Sequence, residues 1–262
     1  MEVRVLLVGD VVGKPGRELL KRVIPEIIAE RNVDFTIVNG ENAVQGSGIN
    51  PKTFREIVRA GADVVTLGDH SWSRKEGLPV IEAEEKVLRP MNYSKRAVGK
   101  GSRVYTMQNG MRAAVMIVLG RVFMPPVDCP FRAIDDALAA VSSDVHFRFV
   151  EVHAEATSEK IAMGWKLDGR VGCVYGTHTH VATADARVLP KGTAYITDLG
   201  MTGPHDGVIG RVKENVLHRF ETSMHAPFDV ARGDVRLNGA LVTLDSNTGR
   251  ATGVERIEVR EE

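Results

Sequence analysis

The chain has little cysteine: two residues, Cys129 and Cys173, in 262. That excludes a disulfide-stapled scaffold. Cys173 lies in an apolar run and reads as a small buried residue. Cys129, in Asp128-Cys129-Pro130, reads as a loop thiol without a role. The chain also lacks net charge, with 34 Lys and Arg against 34 Asp and Glu. No global field favours nucleic acid or a membrane surface, so an anionic substrate must be held by a local site. No apolar run approaches the roughly 18 residues of a membrane span. The stretch Val3 to Val8 is too short for a signal peptide, which predicts a cytoplasmic protein.

What is there is ordinary for a globular chain: 43% apolar and 26% charged residues. The length suits one large domain. We read residues 1–262 as a single domain. Residues of about 85–130 are irregular and read either as a small insertion or cap over a sheet edge, the preferred reading, or as part of the sheet.

Val3 to Val8 is β-branched and apolar, as a buried strand requires. From Arg17 to Glu30, apolar pairs recur every four residues at Leu19/Leu20, Val23/Ile24 and Ile27/Ile28, the pattern of an amphipathic helix. Pro25 should kink that helix or mark its start. Phe35 to Val38 is a strand. Asn50-Pro51 opens a helix to about Ala60, and Asp63 to Leu67 is the next strand. The spacing predicts strands at 103–107 and 113–118 around an Asn109-Gly110 turn. Further strands follow at 145–152, 171–175 and 193–197, with helices at 131–141, 157–167 and 210–222. A hairpin of 235–244 and 253–259 ends the chain. Alternating strands and helices predict a sheet flanked by helices.

The polar residues fall where strands end. These ends are Gly9-Asp10, Asn39-Gly40-Glu41-Asn42, Gly68-Asp69-His70, Glu151-Val152-His153 and Gly176-Thr177-His178-Thr179-His180. Parallel strands with helical crossovers bring their carboxyl ends to one edge. Five such ends would surround one cavity with carboxylates, amides and imidazoles. Two divalent metals roughly 3.5 to 4 Å apart clamp the oxygens of a transferring phosphoryl group and lower the pKa of a water, giving hydroxide at neutral pH. Such a pair needs a bridging carboxylate, for which Glu41 is the candidate. Its terminal ligands would be Asp10, Asn42, Asp69, His153, His178 and His180. Mixed imidazole and carboxylate suit iron, manganese or zinc better than calcium. His70 is the candidate acid for the leaving alkoxide. Each residue alone reads blandly: Asp10 as a turn or cap residue, a single His as a structural one. His178 and His180 read more strongly, because i and i+2 on a strand point the same way. The inference rests on their joint occurrence.

These blocks, in this order, resemble the motif set of the metallophosphoesterases (calcineurin-like). More closely, and over nearly the whole chain, the sequence resembles their bacterial YmdB-like branch. The most specific stretches are Gly9-Asp10-Val11-Val12-Gly13, Val38-Asn39-Gly40-Glu41-Asn42, His153-Ala154-Glu155-Ala156-Thr157-Ser158-Glu159-Lys160, Gly176 to Val181 and Thr197-Asp198-Leu199-Gly200-Met201-Thr202-Gly203-Pro204. The resemblance implies an α/β fold, an αββα sandwich of two mixed β-sheets flanked by helices, with a small insertion or cap. It implies a centre of two metal ions, iron first and manganese second, and phosphodiesterase action on 2′,3′-cyclic nucleotides, opened to a 3′-phosphate. By this likeness Asp10 and His180 serve one metal with Asn42 beside them, and Asp69, His153 and His178 serve the other. Glu41 bridges, and His70 is the acid.

The chain departs from the wider superfamily twice. Val12 stands where the first block usually has His, a feature shared by the YmdB-like branch. Asp69 stands where the third block usually has Asn. Asp69 is expected to ligate still, with altered metal preference or slower turnover.

His205 is either a solvated loop residue or one that reaches the cavity. Thr179 either touches phosphate or packs. Lys14 and Arg17 either attract phosphate at a helix start or are solvated. His146, His218 and His225 read as structural. The expected partner is a small-molecule phosphodiester. No membrane and no long nucleic acid are expected, since no face is rich in Lys and Arg, and the chain is expected to form a homo-oligomer. The competing readings are a phosphomonoesterase or nuclease on the same scaffold, a regulatory metal- and nucleotide-binding protein with little turnover, and a scaffold with a structural metal. Open O/N ligand types with a spare His disfavour the last.

Overall fold

The computed structural model describes residues 1–261. In chain order the first sheet takes up β1 (Glu2–Val8), β2 (Asp10–Val11), β3 (Phe35–Asn39), β4 (Val64–Thr66) and β5 (Val87–Leu88). The second sheet follows with β6 (Ser102–Thr106), β7 (Arg112–Leu119), β8 (Phe147–His153), β9 (Cys173–Thr177), β10 (Arg187–Val188) and β11 (Ala194–Ile196). The chain then returns to the first sheet with β12 (Met201–Pro204), β13 (Val235–Asp245) and β14 (Ala251–Arg260). The described helices are α1 (Gly13–Arg31), α2 (Pro51–Arg59), α3 (Leu78–Ala83), α4 (Pro130–Ala140), α5 (Thr157–Leu167) and α6 (Lys213–Thr222).

The layers follow from strand alternation. On β1, Val3, Val5 and Leu7 pack between the sheets against Ile117, Phe149 and Tyr175. Leu6 and Val8 turn the other way, toward Leu20 and Ile24 of α1 and Ile57 of α2. The second sheet repeats this on its outer face, where Met116 and Val150 meet Ile134 of α4 and Met163 of α5. The result is the expected αββα sandwich. Each fully buried aliphatic side chain in these layers contributes about 1.5–3 kcal/mol.

β1, β3 and β4 are parallel neighbours, with Val8 opposite Val38 and Ile37 opposite Val64. β8 lies parallel between β7 and β9, with His153 opposite Leu119 and Thr177. β13 pairs antiparallel with β1 on its other side, Val8 opposite Gly239. Three strand ends of one sheet and two of the other therefore carry the candidate residues.

Most of the expected elements form where their pattern placed them. Asn50 caps α2, its Oδ1 accepting from Thr53 N at 2.9 Å, with Pro51 at the first helical position. α1 differs. It starts at Gly13, not near Arg17, and continues through Pro25. Gly13 has φ +60°, a turn conformation costly to other residues, and a Cβ there would strike Val230.

The hairpin of β6 and β7 belongs to the second sheet, the alternative to a cover over its edge. Of residues 85–130, the longest stretches outside the strands and helices are 89–101 and 120–129. Among the described residues no helix is long and apolar enough to cross a membrane.

Candidate metal centre

The structure gathers all eight sequence-predicted residues. Glu41 lies at the middle, 1% exposed. On one side of it, donor atoms of Glu41, Asp69, His153 and His178 all fall within 4.8 Å of one another. His153 Nε2 is 3.1 Å from both Glu41 Oε1 and Asp69 Oδ1. His178 Nδ1 is 3.1 Å from His153 Nε2 and 3.4 Å from Asp69 Oδ1. On the other side, Asn42 Nδ2 lies 3.2 Å from Glu41 Oε1 and 3.1 Å from His180 Nε2. His180 Nε2 is 3.8 Å from Asp10 Oδ1. A half-turn of the Asn42 amide would present Oδ1 there in place of Nδ2. His70 stands at the rim, its backbone N donating to Glu41 Oε2 at 3.1 Å and its Nδ1 3.6 Å from Glu41 Oε1.

The local backbone explains the convergence. Gly68 lets β4's end pass under the cluster; a Cβ there would strike His153 Nε2 and Glu41 Oε2. β9 ends at Thr177, so the two histidines beyond it do not share a face by strand alternation, as the sequence reading supposed. His178 has φ +96° and His180 φ +64°. Such strain in non-glycine residues concentrates at functional sites. The bend is held by His178 N donating to Asp10 Oδ2 at 3.2 Å and by His180 Nδ1 donating to Ile209 O at 2.9 Å.

The electrostatics call for a cation. Asp10, Glu41 and Asp69 converge, and among the described residues their only ion-pair contacts within 4 Å are with imidazoles. Burial pushes the Asp10 carboxyl up to about 7, with His153 opposing and Glu41 adding to the rise. Its Oδ1 is buried with no hydrogen-bond partner. Burial also works against the charge on Glu41, but His153 outweighs it and holds that carboxyl below the usual range. For Asp69, burial is outweighed by hydrogen bonds from His153 and His178. His153 shows the converse, since burial is overcome by Glu41 and its pKa rises well above the usual imidazole value. Burial lowers that of His180, keeping its ring neutral for ligation. An orphaned buried carboxylate oxygen beside a mixed O/N donor set fits a bound transition metal.

A YmdB-like family model matches residues 6–257. The chain belongs to the YmdB-like family. This is a phosphoesterase family, and the chain is an enzyme of that class. The YmdB-like chain is 44% identical to the 2′,3′-cyclic-nucleotide 2′-phosphodiesterase of Bacillus subtilis, over 99% of this chain and 98% of that one. Its structure matches that of a hypothetical protein from Thermus thermophilus with TM-score 0.93 and 41% identity, covering 99% of this chain and 100% of the other. It also matches a phosphatase of Mycoplasma pneumoniae with TM-score 0.94 and 33% identity, covering 100% and 95%.

Several other expectations resolve. In this YmdB-like protein Val12 is buried beside Gly203 and Gly210. Thr179 packs, its Oγ1 donating to Asp198 Oδ2 at 2.8 Å. Arg17 is tied to Glu56 at 2.6 Å and to Ala43 O. Lys14 is exposed. His205 lines the same cavity as His180, yet both ring nitrogens are engaged, Nδ1 with Gly203 O at 2.9 Å and Nε2 with Asn238 Nδ2 at 3.1 Å.

Sequence reasoning missed the support beneath the ligands. Glu155 Oε2 sits 3.3 Å from His178 Nε2. Asp198 takes Lys160 Nζ at 2.6 Å, both side chains 1% exposed. These residues fall inside the most specific stretches of the motif set, a signal that went unused.

Proposed function

We propose that this chain hydrolyses 2′,3′-cyclic nucleotides to 3′-nucleotides at a two-metal centre. The observation that carries the two-metal reading is that Glu41 sits between two donor groups: Asp69, His153 and His178 on one side, Asp10, Asn42 and His180 on the other. Glu41 would help to hold both metals. The mixed imidazole and carboxylate donors suit iron, manganese or zinc, and the resemblance to the metallophosphoesterases points to iron first and manganese second. When bound, the metals supply Lewis acidity to the phosphoryl oxygens and make water available as a nucleophile at neutral pH.

The chain's own residues do the rest. Asp10, Glu41 and Asp69 supply the negative charge that balances the cations. His178 and His180 are held by the strained loop, so their nitrogens need no rearrangement. In the metal-free protein the neighbouring Glu41 raises the His70 pKa. Half-exposed at the rim, His70 is placed to give a proton to the departing 2′-oxygen. A cavity of about 320 Å³ borders His180 and is lined by Met201, Arg236 and Arg256, a size that suits a small ester. The activity of the Bacillus subtilis relative supports the same substrate class.

The test is turnover of 2′,3′-cyclic AMP by metal-analysed protein, alongside His70→Ala. The wild type should yield 3′-AMP. His70→Ala should keep its metals and lose about 10²–10⁴-fold in turnover. Protein that holds metal yet cleaves neither this ester nor a simple aryl phosphodiester would defeat the enzymatic reading. Full activity in His70→Ala would remove that residue from the acid role.

A further inference from the structure

Glu151 lies two residues before His153 on β8 and is 0% exposed. Among the described residues no Lys or Arg is within ion-pair distance of it. It is instead met by three side-chain donors. Its Oε1 accepts from Asn39 Nδ2 at 2.7 Å and from Thr177 Oγ1 at 2.8 Å, and its Oε2 from the Tyr175 hydroxyl at 3.1 Å. Burying a carboxylate without a cation is costly, and an apolar residue would serve the core better. The geometry shows what the carboxylate does instead.

A threonine hydroxyl has one proton. Thr177 gives it to Glu151, so its oxygen is left to accept from His153 Nδ1 at 2.9 Å. A neutral imidazole, the form that binds a metal, keeps its lone pair on Nε2 when it donates from Nδ1. Nε2 is the atom aimed at the cluster, 3.1 Å from Glu41 and from Asp69. The second arm runs through Asn39. With its Nδ2 committed to Glu151, its Oδ1 is turned to accept from Glu41 N at 3.1 Å. Asn39 ends β3 in the first sheet, while Thr177 ends β9 in the second.

We propose that Glu151 is a positioning residue of the metal centre: through Thr177 it sets the tautomer of His153, and through Asn39 it fixes the backbone of Glu41. One buried carboxylate thus aligns ligands contributed by both sheets. The proposal rests on the metal reading above. Partners of this kind typically change metal affinity or activity 10–100-fold when removed.

The test uses metal-free protein titrated with Co²⁺, following affinity and the visible absorption of the bound ion, with melting of the metal-free form as control. Thr177→Val has the same shape without the hydroxyl. It should bind Co²⁺ about 10–100-fold more weakly, with an altered spectrum. Thr177→Ser, which keeps the hydroxyl, should match the wild type. A merely structural Thr177 would lower melting and leave Co²⁺ affinity and spectrum as in the wild type, and that result overturns the proposal. If Thr177→Val does not fold, Glu151→Met, which removes the accepting oxygens, carries the test: weakened Co²⁺ binding supports the relay, and unchanged affinity and spectrum overturn it. Failure of the wild type itself to take up Co²⁺ would remove the metal reading, and this proposal with it.

Discussion

Glu41→Gln is expected to abolish turnover and stoichiometric metal binding together. Glu41 Oε1 faces Asn42 Nδ2 at 3.2 Å and His153 Nε2 at 3.1 Å, and Oε2 accepts from His70 N at 3.1 Å. Turned toward His70 N, a glutamine NH₂ meets a donor; turned the other way, it puts an NH₂ where a metal needs an oxygen. It also lacks the charge to bridge two cations. Losing several kcal/mol of Lewis-acid stabilisation corresponds to at least about 10³-fold in rate. Folding should survive, because the substitution removes one of three crowded carboxylates in the metal-free protein. The distinguishing measurement is melting with and without Mn²⁺. A ligand at 100 times its Kd stabilises the native state by about 2.7 kcal/mol, worth about 5–10 °C in a chain of this size. The wild type should show that rise and Glu41→Gln should not. A variant that still melts higher with Mn²⁺ would show that Glu41 is dispensable for binding.

Lys160→Met is expected to destabilise the fold severely. Lys160 and Asp198 form a fully buried pair at 2.6 Å. Asp198 also accepts from Thr179 N at 3.2 Å, Thr179 Oγ1 at 2.8 Å and Gly200 N at 2.8 Å. Methionine fills the space of the lysine stem but leaves the carboxylate without its cation. Breaking a buried pair on one side costs about 3–5 kcal/mol, a large part of the roughly 5–15 kcal/mol that holds a typical protein folded. In urea the midpoint should fall with the slope unchanged. Because Thr179 lies between His178 and His180, metal affinity should fall as well. Lys160→Met combined with Asp198→Asn should regain much of the stability. An unchanged midpoint in Lys160→Met would mean that the pair contributes nothing.

The candidate ligands were legible because they sit at strand ends. A carboxylate, amide or imidazole after an apolar β-branched run has one place to go when the strands are parallel. The order of the blocks supplied the rest. Glu151, Lys160 and Asp198 were harder to read, because burial of a charge depends on what packs over it from elsewhere in the chain. Glu151 is sealed by Asn39, 112 residues earlier. His178 and His180 approach the cluster through left-handed backbone and not through the strand alternation expected of them. Left-handed backbone at a histidine leaves no mark in residue type. The β6–β7 hairpin was recognised as a hairpin, but its membership of the second sheet is set by the long-range pairing of β7 with β8.

The place of β13 also bears on synthesis. β1 leaves the ribosome long before its neighbour β13, Glu2 pairing with Asp245. Until that strand arrives, one side of β1 is an open row of backbone donors and acceptors, a template for unwanted pairing. Contacts this distant in sequence form slowly. Asp10, Glu41, Asn42 and Asp69 are therefore made long before the sheet that supports them is closed. The nascent chain would carry a half-built acidic pocket until β13 arrives, and stable metal loading would wait for that strand.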